Sequence, residues 1–397
     1  MSTFDGRRVV LGVCGGIAAY KAIDVCRRLV DAGAHVQPVL TDGARRFVGE
    51  ATFDALASEP VQTSLFDEES PIPHTRLGQG ADLVIVCPAT ARLLADYRTG
   101  RSADLLVATL IATRAPVLLA PAMHTEMWEH PAVQENLAVL VSRGVHLVGP
   151  DAGRLAGGDI GFGRLADPAA VVAHAERILG PGDLNGVSVL ITAGGTREPI
   201  DPVRVIANRS TGKQGYALAE AAWARGARVT LVSTADRPAP VGVEVVAVET
   251  AAEMAAAVFA RAPGADVVIM AAAVADFRPV DIAEHKLKKA AGPPTIQLQP
   301  TVDILAELGR TKAPTQVLVG FAAETNDVLA HAADKLHRKQ VDLVVANDVG
   351  APGVGFAYDT NAVHLVSRLG ATSSVALATK RTIADHILDA ILVHRVP

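Results

Sequence analysis

Residues 189–215 read VLITAGGTREPIDPVRVIANRSTGKQG. The opening is a short apolar run rich in β-branched residues, the pattern of a buried strand. It breaks at Gly194 and Gly195, carries Arg197 and Arg204 through proline-marked turns, and ends in ANRSTGK before a helical pattern resumes. A strand that opens into a glycine turn is where an α/β domain takes an anionic ligand, because backbone N–H groups and a helix N-terminus are free there. Ordinary connections of this kind run about 2–6 residues, and this one is several times longer. It is not a P-loop: Ala207 stands where that pattern needs its first glycine, and Gln214 replaces the hydroxyl residue.

Outward from this stretch, short strands and helices alternate in both directions. Downstream, strands are expected near 187–192, 229–232, 267–270, 317–320, 343–346 and 362–366, with helices near 216–225, 251–261, 328–339 and 380–392. Upstream, strands near 9–13, 36–40, 83–87, 117–120 and 145–148 alternate with helices near 17–32, 103–113 and 131–143. In the first of those helices Ala18, Ala22, Val25 and Leu29 recur on one face, and Gly33 is a natural stop. Such alternation predicts doubly wound parallel sheets. The fold class is therefore α/β, with two Rossmann-like domains over 1–180 and 187–397. A linker is expected at 181–186, in the turn-forming run around Pro181-Gly182-Asp183.

Composition agrees. The 397 residues suit two domains of usual size. Half are apolar and only 4% aromatic, which fits close packing of helices on sheets and excludes a disordered chain. A net charge of −5 gives no reason to expect nucleic acid or an anionic membrane as partner. No apolar run reaches the ~20 residues of a membrane span, and the start, MSTFDGRR, shows no secretory signal. Cys14, Cys26 and Cys87 form neither a paired framework nor a metal spacing, so a reducing cytoplasm is expected.

In the first domain a glycine loop, Gly12-Val13-Cys14-Gly15-Gly16-Ile17, follows a strand and opens a helix, a context suited to a bound phosphate. It is not the dinucleotide fingerprint, since Cys14 stands where the second glycine belongs. Two further strand ends, CPATA at 87–91 and APAMH at 120–124, carry small residues that leave room for a flat ring, and Thr90 can hydrogen-bond to it. His74 lies in the loop PIPHTRL, with a side chain suited to acid–base work.

Together, GGIAAYK, His74, CPATA, ADLL at 103–106 and PAMHTEMW at 121–128 resemble the flavin-dependent cysteine decarboxylases over about residues 6–180. That resemblance implies FMN at the strand ends, held by Gly15, Gly16, Ile17, Thr41, Pro88, Ala89 and Thr90. The flavin would oxidise a cysteine-derived thiol to a thioaldehyde, the electron sink for decarboxylation, and then return the electrons. By the same resemblance His74 is essential near the reacting carboxylate, and Met123 and His124 belong to the segment that holds the phosphopantetheine substrate. Three positions depart from the pattern: Arg92 and His124 replace asparagines, and Gly157 stands where relatives carry the cysteine credited with protonating the enethiolate. The proton donor is thus open, with Asp159 or a water conceivable.

In the second domain TAGGTREPIDPVR and ANRSTGKQG, with AAAVADFRP at 271–279, HKLKK at 285–289, GFAAETN at 320–326 and VANDV at 345–349, resemble the phosphopantothenate–cysteine ligases. These form the second half of bifunctional coenzyme A biosynthesis proteins. The resemblance implies CTP as co-substrate, with magnesium or manganese, and an acyl-cytidylate that cysteine then captures. It assigns Lys286 to the triphosphate and Ala272, Asp276, Val302, Asp303, Ile304, Leu305, Phe321, Lys335 and Lys339 to the nucleotide. Asn208 would hold the acyl intermediate, with Arg204 nearby. The metal ligands stay unassigned. A large homo-oligomer, of dodecamer size, is a further implication of the resemblance. Two other readings remain at this stage: a ligase whose flavin domain is only an assembly scaffold, and a nicotinamide oxidoreductase.

Overall fold

A strand that is apolar at every position can only sit in a sheet covered on both faces. The first domain is built on this rule. β1 (Arg8–Val13), β2 (His35–Leu40), β3 (Leu83–Ala89), β4 (Val117–Pro121) and β5 (His146–Leu147) pair in parallel in the order β2-β1-β3-β4-β5. β3 is buried at every residue. Because side chains alternate across a strand, Val9, Leu11, Val13, Leu83, Ile85 and Cys87 enter one core, while Val10, Val84 and Val86 enter the other. The first core is closed by α1 (Lys21–Asp31) and, later in the chain, by the helix Pro168–Leu179, through Val25, Leu29 and Val171.

The computed structural model describes residues 2–66, 71–288, 294–324, 326–350 and 353–395. The chain divides into two units, Met1–Pro181 and Gly182–Pro397. In the first, α2 (Glu50–Asp54), α3 (Pro73–Gly80), α4 (Ala91–Thr99), α5 (Leu105–Ala112), α6 (Thr125–Glu129) and α7 (Pro131–Ser142) follow α1. An antiparallel hairpin, β6 (Asp151–Arg154) and β7 (Ile160–Arg164), precedes the closing helix α8 (Pro168–Leu179). The helix expected over 17–32 is instead a 3-10 turn, Ile17–Tyr20, running into α1, with Gly16 extended (φ −171°, ψ 160°) at its N-cap. The hairpin was not anticipated, since its glycine-rich strands lack a two-residue period.

In the second unit β8 (Ser188–Ala193) leads into a small hairpin, β9 (Arg197–Pro199) and β10 (Val205–Ala207). Then come α9 (Lys213–Ala224), β11 (Arg228–Ser233), β12 (Glu244–Ala247), α10 (Ala251–Arg261) and β13 (Val267–Met270). β14 (Phe277–Pro279) and β15 (Leu298–Pro300) pair antiparallel outside the main sheet. They are followed by α11 (Ile304–Thr311), β16 (Val317–Glu324), α12 (Val328–Arg338), β17 (Leu343–Asp348), β18 (Thr360–Ser367), β19 (Thr372–Thr379) and α13 (Lys380–Arg395). The eight-stranded order is β12-β11-β8-β13-β16-β17-β18-β19. Its first six strands are parallel, but β18 pairs antiparallel with β17, and β19 antiparallel with β18. Here the doubly wound expectation is amended: Gly370, at φ +87°, closes a hairpin where no helical crossover intervenes. Leu190, Val268, Leu318 and Val344 share one core, while Ile191, Ile269, Val319 and Val345 are fully buried on the side of α9 and α13.

The stretch expected as a linker, 181–186, is mostly part of this second unit. Leu184 is fully buried. Arg225, at the end of α9, donates to Asp183 at 2.6 Å and to Asp389 on α13 at 2.7 Å. One nearly buried guanidinium therefore ties the first turn of the unit to its last helix. Among the described residues no helix is long and apolar enough to cross a membrane. Breaking a buried pair costs about 3–5 kcal/mol, and because Asp389 is largely exposed we expect Arg225→Met to cost about 2 kcal/mol. Urea unfolding reads this as a lower midpoint.

Candidate functional site

In both sheets a cavity opens beyond the C-terminal strand ends, where the strand order reverses. The first, of about 1000 Å³, is lined by loops after β1, β2, β3 and β4 and by the β6–β7 hairpin. Glycine sets its floor. A Cβ on Gly15 would lie 2.5 Å from the backbone of Gly43, so the loops after β1 and β2 touch through bare main chain. A Cβ on Gly16 would meet nothing within 4 Å, so the backbone there borders open space. Thr41 donates to the Val13 carbonyl at 3.2 Å, and Thr90 caps α4 by accepting from the Leu93 N–H.

The structure brings Gly15, Gly16, Ile17, Thr41, Pro88, Thr90, Met123 and His124 to this one cavity. Two expected residues lie elsewhere. Ala89 is fully buried in β3, so its side chain packs in the core. His74 starts α3 outside the lining, with a buried Nδ1 that has no hydrogen-bond partner among the described residues. Burial pushes the Cys14 and Cys87 thiols up to about 12 and Cys26 up to about 11. His124, by contrast, has its Nδ1 on the Glu126 carboxylate and its Nε2 3.2 Å from Asp159. The Glu126 hydrogen bond, aided by Asp159, raises the imidazole above its ordinary pKa.

The second cavity, of about 620 Å³, is bordered by the loop 210–215, the end of β13, residues 300–305 and α12. Ala272, Asp276, Val302, Asp303, Ile304, Leu305, Phe321, Lys335 and Lys339 all line it. Lys335 donates to the Phe321 carbonyl at 2.6 Å, and burial lowers its pKa. Lys339 pairs with Asp303, which also caps α11 through the Ala306 N–H. Burial works against the Asp303 charge, but these two hydrogen bonds prevail and hold its pKa low. Lys213 and Lys380, which the sequence reading does not single out, also line this cavity. Lys213 reaches Asp359 at 2.7 Å, and Lys380 donates to the carbonyls of Gly355 and Tyr358; burial depresses Lys380 to about 8. Residues 355–359 are thereby strapped to the first residues of α9 and α13.

Asn208, Arg204 and Lys286 are not among the lining residues. Asn208 donates to the carbonyls of Ala273 and Val274, at 3.2 and 3.3 Å, just past β13. Its backbone lies 2.7 Å from where a Cβ on Gly195 would be, so only glycine fits there. Asp201 was missed because it reads as an ordinary turn residue. It is buried and accepts the N–H groups of Val203, Arg204 and Leu287, at 2.8, 2.8 and 3.1 Å. One carboxylate thus holds the Lys286 segment beside the Arg204 turn. Of the HKLKK cluster, Lys289 lies outside the described residues, as does Thr325 of GFAAETN.

Family models match both halves: Flavoprotein over residues 2–179, and DNA/pantothenate metabolism flavoprotein C-terminal domain over 184–394. The coenzyme A biosynthesis bifunctional protein of Mycobacterium tuberculosis is 51% identical, covering 97% of this chain and 96% of that one. The Bacillus subtilis protein of the same name is 46% identical over 98% and 97%. The chain belongs to the family of bifunctional coenzyme A biosynthesis proteins. A flavoprotein half and a ligase half account for its two units, and it is both a phosphopantothenoylcysteine decarboxylase and a phosphopantothenate–cysteine ligase. The nicotinamide reading falls with the flavoprotein match. A solved C-terminal domain from this family is 42% identical and covers 53% of this chain and 97% of that one, with a TM-score of 0.46.

Two outcomes follow from the geometry. Asp201→Ala frees the Lys286 segment and is expected to lower ligase kcat/KM at least tenfold, about 1.4 kcal/mol, with flavin content unchanged. Because their thiols are buried and resist ionisation, Cys14, Cys26 and Cys87 should escape iodoacetamide at pH 8 in the native protein. All three should react in urea, as mass spectrometry would show.

Proposed function

We propose that the second unit joins 4′-phosphopantothenate to L-cysteine using CTP, through an acyl-cytidylate, and that the first unit uses FMN to decarboxylate the product to 4′-phosphopantetheine. The observation that carries the ligase part is the second cavity, which Lys213, Lys335, Lys339 and Lys380 all line. A substrate carboxylate attacks the α-phosphate, pyrophosphate leaves, and the cysteine amine displaces CMP. Each step builds negative charge on oxygen, which positioned cations and N–H donors stabilise. Lys335 and Lys339 take the nucleotide phosphates, and Asp276, exposed in the cavity lining just before β14, takes a ribose hydroxyl. Asn208, bonded to the lining residues Ala273 and Val274, holds the acyl intermediate for the amine. Lys286 closes on the triphosphate from the neighbouring segment.

Among the described residues no group of three or more His, Cys, Asp or Glu side chains could hold a metal ion. We therefore assign no step to a divalent ion; magnesium or manganese would travel with the CTP phosphates.

FMN fits the first cavity on its shape. The bare backbone at Gly15 and Gly16 suits a phosphate, and the volume suits a tricyclic ring with its ribityl chain. When bound, FMN supplies two-electron redox capacity beside the substrate thiol. The chain's own residues then bind and orient: Thr90 at the ring, and Met123 and His124 at the substrate. His74 is the acid–base candidate by resemblance, and it stands outside the lining of a single chain. Exposed Ile17, Tyr20 and Met127 border the cavity, which supports a homo-oligomer, a dodecamer by resemblance, whose subunits complete this site in the cytoplasm.

Pyrophosphate release from phosphopantothenate should require CTP and be weak with ATP; indifference to the base would defeat the ligase assignment. Lys339→Ala should raise KM for CTP about tenfold, about 1.4 kcal/mol. If the flavin-loaded protein releases no CO₂ from phosphopantothenoylcysteine, the first unit is a scaffold.

A further inference from the structure

Decarboxylation replaces a carbon–carbon bond with a carbon–hydrogen bond, so the carbon that loses CO₂ must collect a proton before product leaves. The donor should be a group that touches the cavity, holds a proton near neutral pH, and can be recharged from solvent. Cys14 touches the cavity, but its thiol is buried and would have to leave a desolvated thiolate. Asp96 is engaged by Arg92 and Arg101, and Asp104 caps α5 through the Val107 N–H. His124 meets all three requirements.

Its placement is built by glycines. The β6–β7 hairpin lies directly on residues 123–125: the Met123 N–H donates to the Gly163 carbonyl at 3.0 Å, and the Thr125 hydroxyl donates to the Phe162 carbonyl at 2.8 Å. Cβ atoms on Gly161 or Gly163 would collide with Thr125 or the Met123 carbonyl. This docking brings the hairpin tip over His124. A Cβ on Gly157 would stand 3.2 Å from His124 Nε2 and 3.1 Å from Asp159 Oδ2. The space that a side chain at 157 would enter is bordered by the imidazole and its carboxylate partner.

We propose that His124, held between Glu126 and Asp159, is the acid that protonates the carbon vacated by CO₂, in place of a side chain at position 157. The proposal rests on the decarboxylase reading above. The proton moves from Nε2 to carbon, and the electron pair left by CO₂ becomes the new carbon–hydrogen bond. The imidazole is left neutral and regains its proton from water, which reaches a side chain that is 37% exposed. Glu126 and Asp159 are positioning residues: they orient the ring and favour its protonated form.

The test is a single turnover by the full-length, flavin-loaded protein given phosphopantothenoylcysteine, with CO₂ and phosphopantetheine measured separately. Wild type should form them one to one; absence of CO₂ there would sink the decarboxylase reading itself. With His124→Asn, CO₂ should outrun phosphopantetheine at least tenfold. The double variant His124→Asn/Gly157→Cys should restore parity, since position 157 has an ordinary backbone φ and needs its neighbours to yield only slightly. Parity in His124→Asn at wild-type rate, equal loss of both products, or failure of the double variant to recover would each overturn the proposal. A second readout needs no turnover. In NMR titrations of the substrate-free protein, Asp159→Asn should move the His124 ring signal to a lower pKa, and an unchanged titration would deny Asp159 its role.

Discussion

A parallel strand buried on both faces can offer chemistry only where it ends. Beyond their first residues, β1, β3, β8 and β13 pair with strands on both sides and bury their side chains. Polar groups free to meet a ligand therefore collect in the loops beyond the C-terminal strand ends. Both cavities obey this constraint. It explains why glycine is so prominent there: loops from adjacent strands must approach within van der Waals contact, as Gly15 meets Gly43 and Gly195 meets Asn208.

The two cavities solve different electrostatic problems on this common plan. The first mixes small and apolar groups with ionic ones such as Lys21, Asp104 and Arg164, and adds one thiol whose pKa burial pushes up and one histidine whose pKa the Glu126 hydrogen bond raises. The second concentrates lysines whose own hydrogen bonds run to main-chain carbonyls, so their positive charge is positioned without being cancelled. Lys339 and Lys213 are the exceptions, since Asp303 and Asp359 partly neutralise them.

Much of this was legible in the primary structure because it depends on local pattern. Apolar runs of four to eight residues marked the parallel strands, and the helices Ala251–Arg261 and Pro131–Ser142 fell near their expected bounds. What escaped depends on partners distant in the chain. β9, β10, β14 and β15 are three residues each, too short to show a period. β19 reads TSSVALAT, mostly exposed, with no face apolar enough to announce a strand. Lys380 looked like the first residue of an amphipathic helix, and only the fold shows it reaching Gly355 and Tyr358. Likewise Gly157 was legible as a missing cysteine, but the imidazole beside it belongs to another loop.

The clamp at Arg225 sets an order of events during synthesis. Its partners stand at the two extremes of the second unit, Asp183 in the first turn and Asp389 in the last helix. α13 also supplies Ile383, Ile387, Leu388 and Ile391, all fully buried. A ribosome must therefore finish nearly the whole chain before this sheet is sealed, whereas the first unit closes once α8 has emerged, less than half-way along. The nascent chain thus carries a finished flavin domain ahead of a half-open sheet, and the final turns of α13 decide when the exposed strands stop being a hazard to their neighbours.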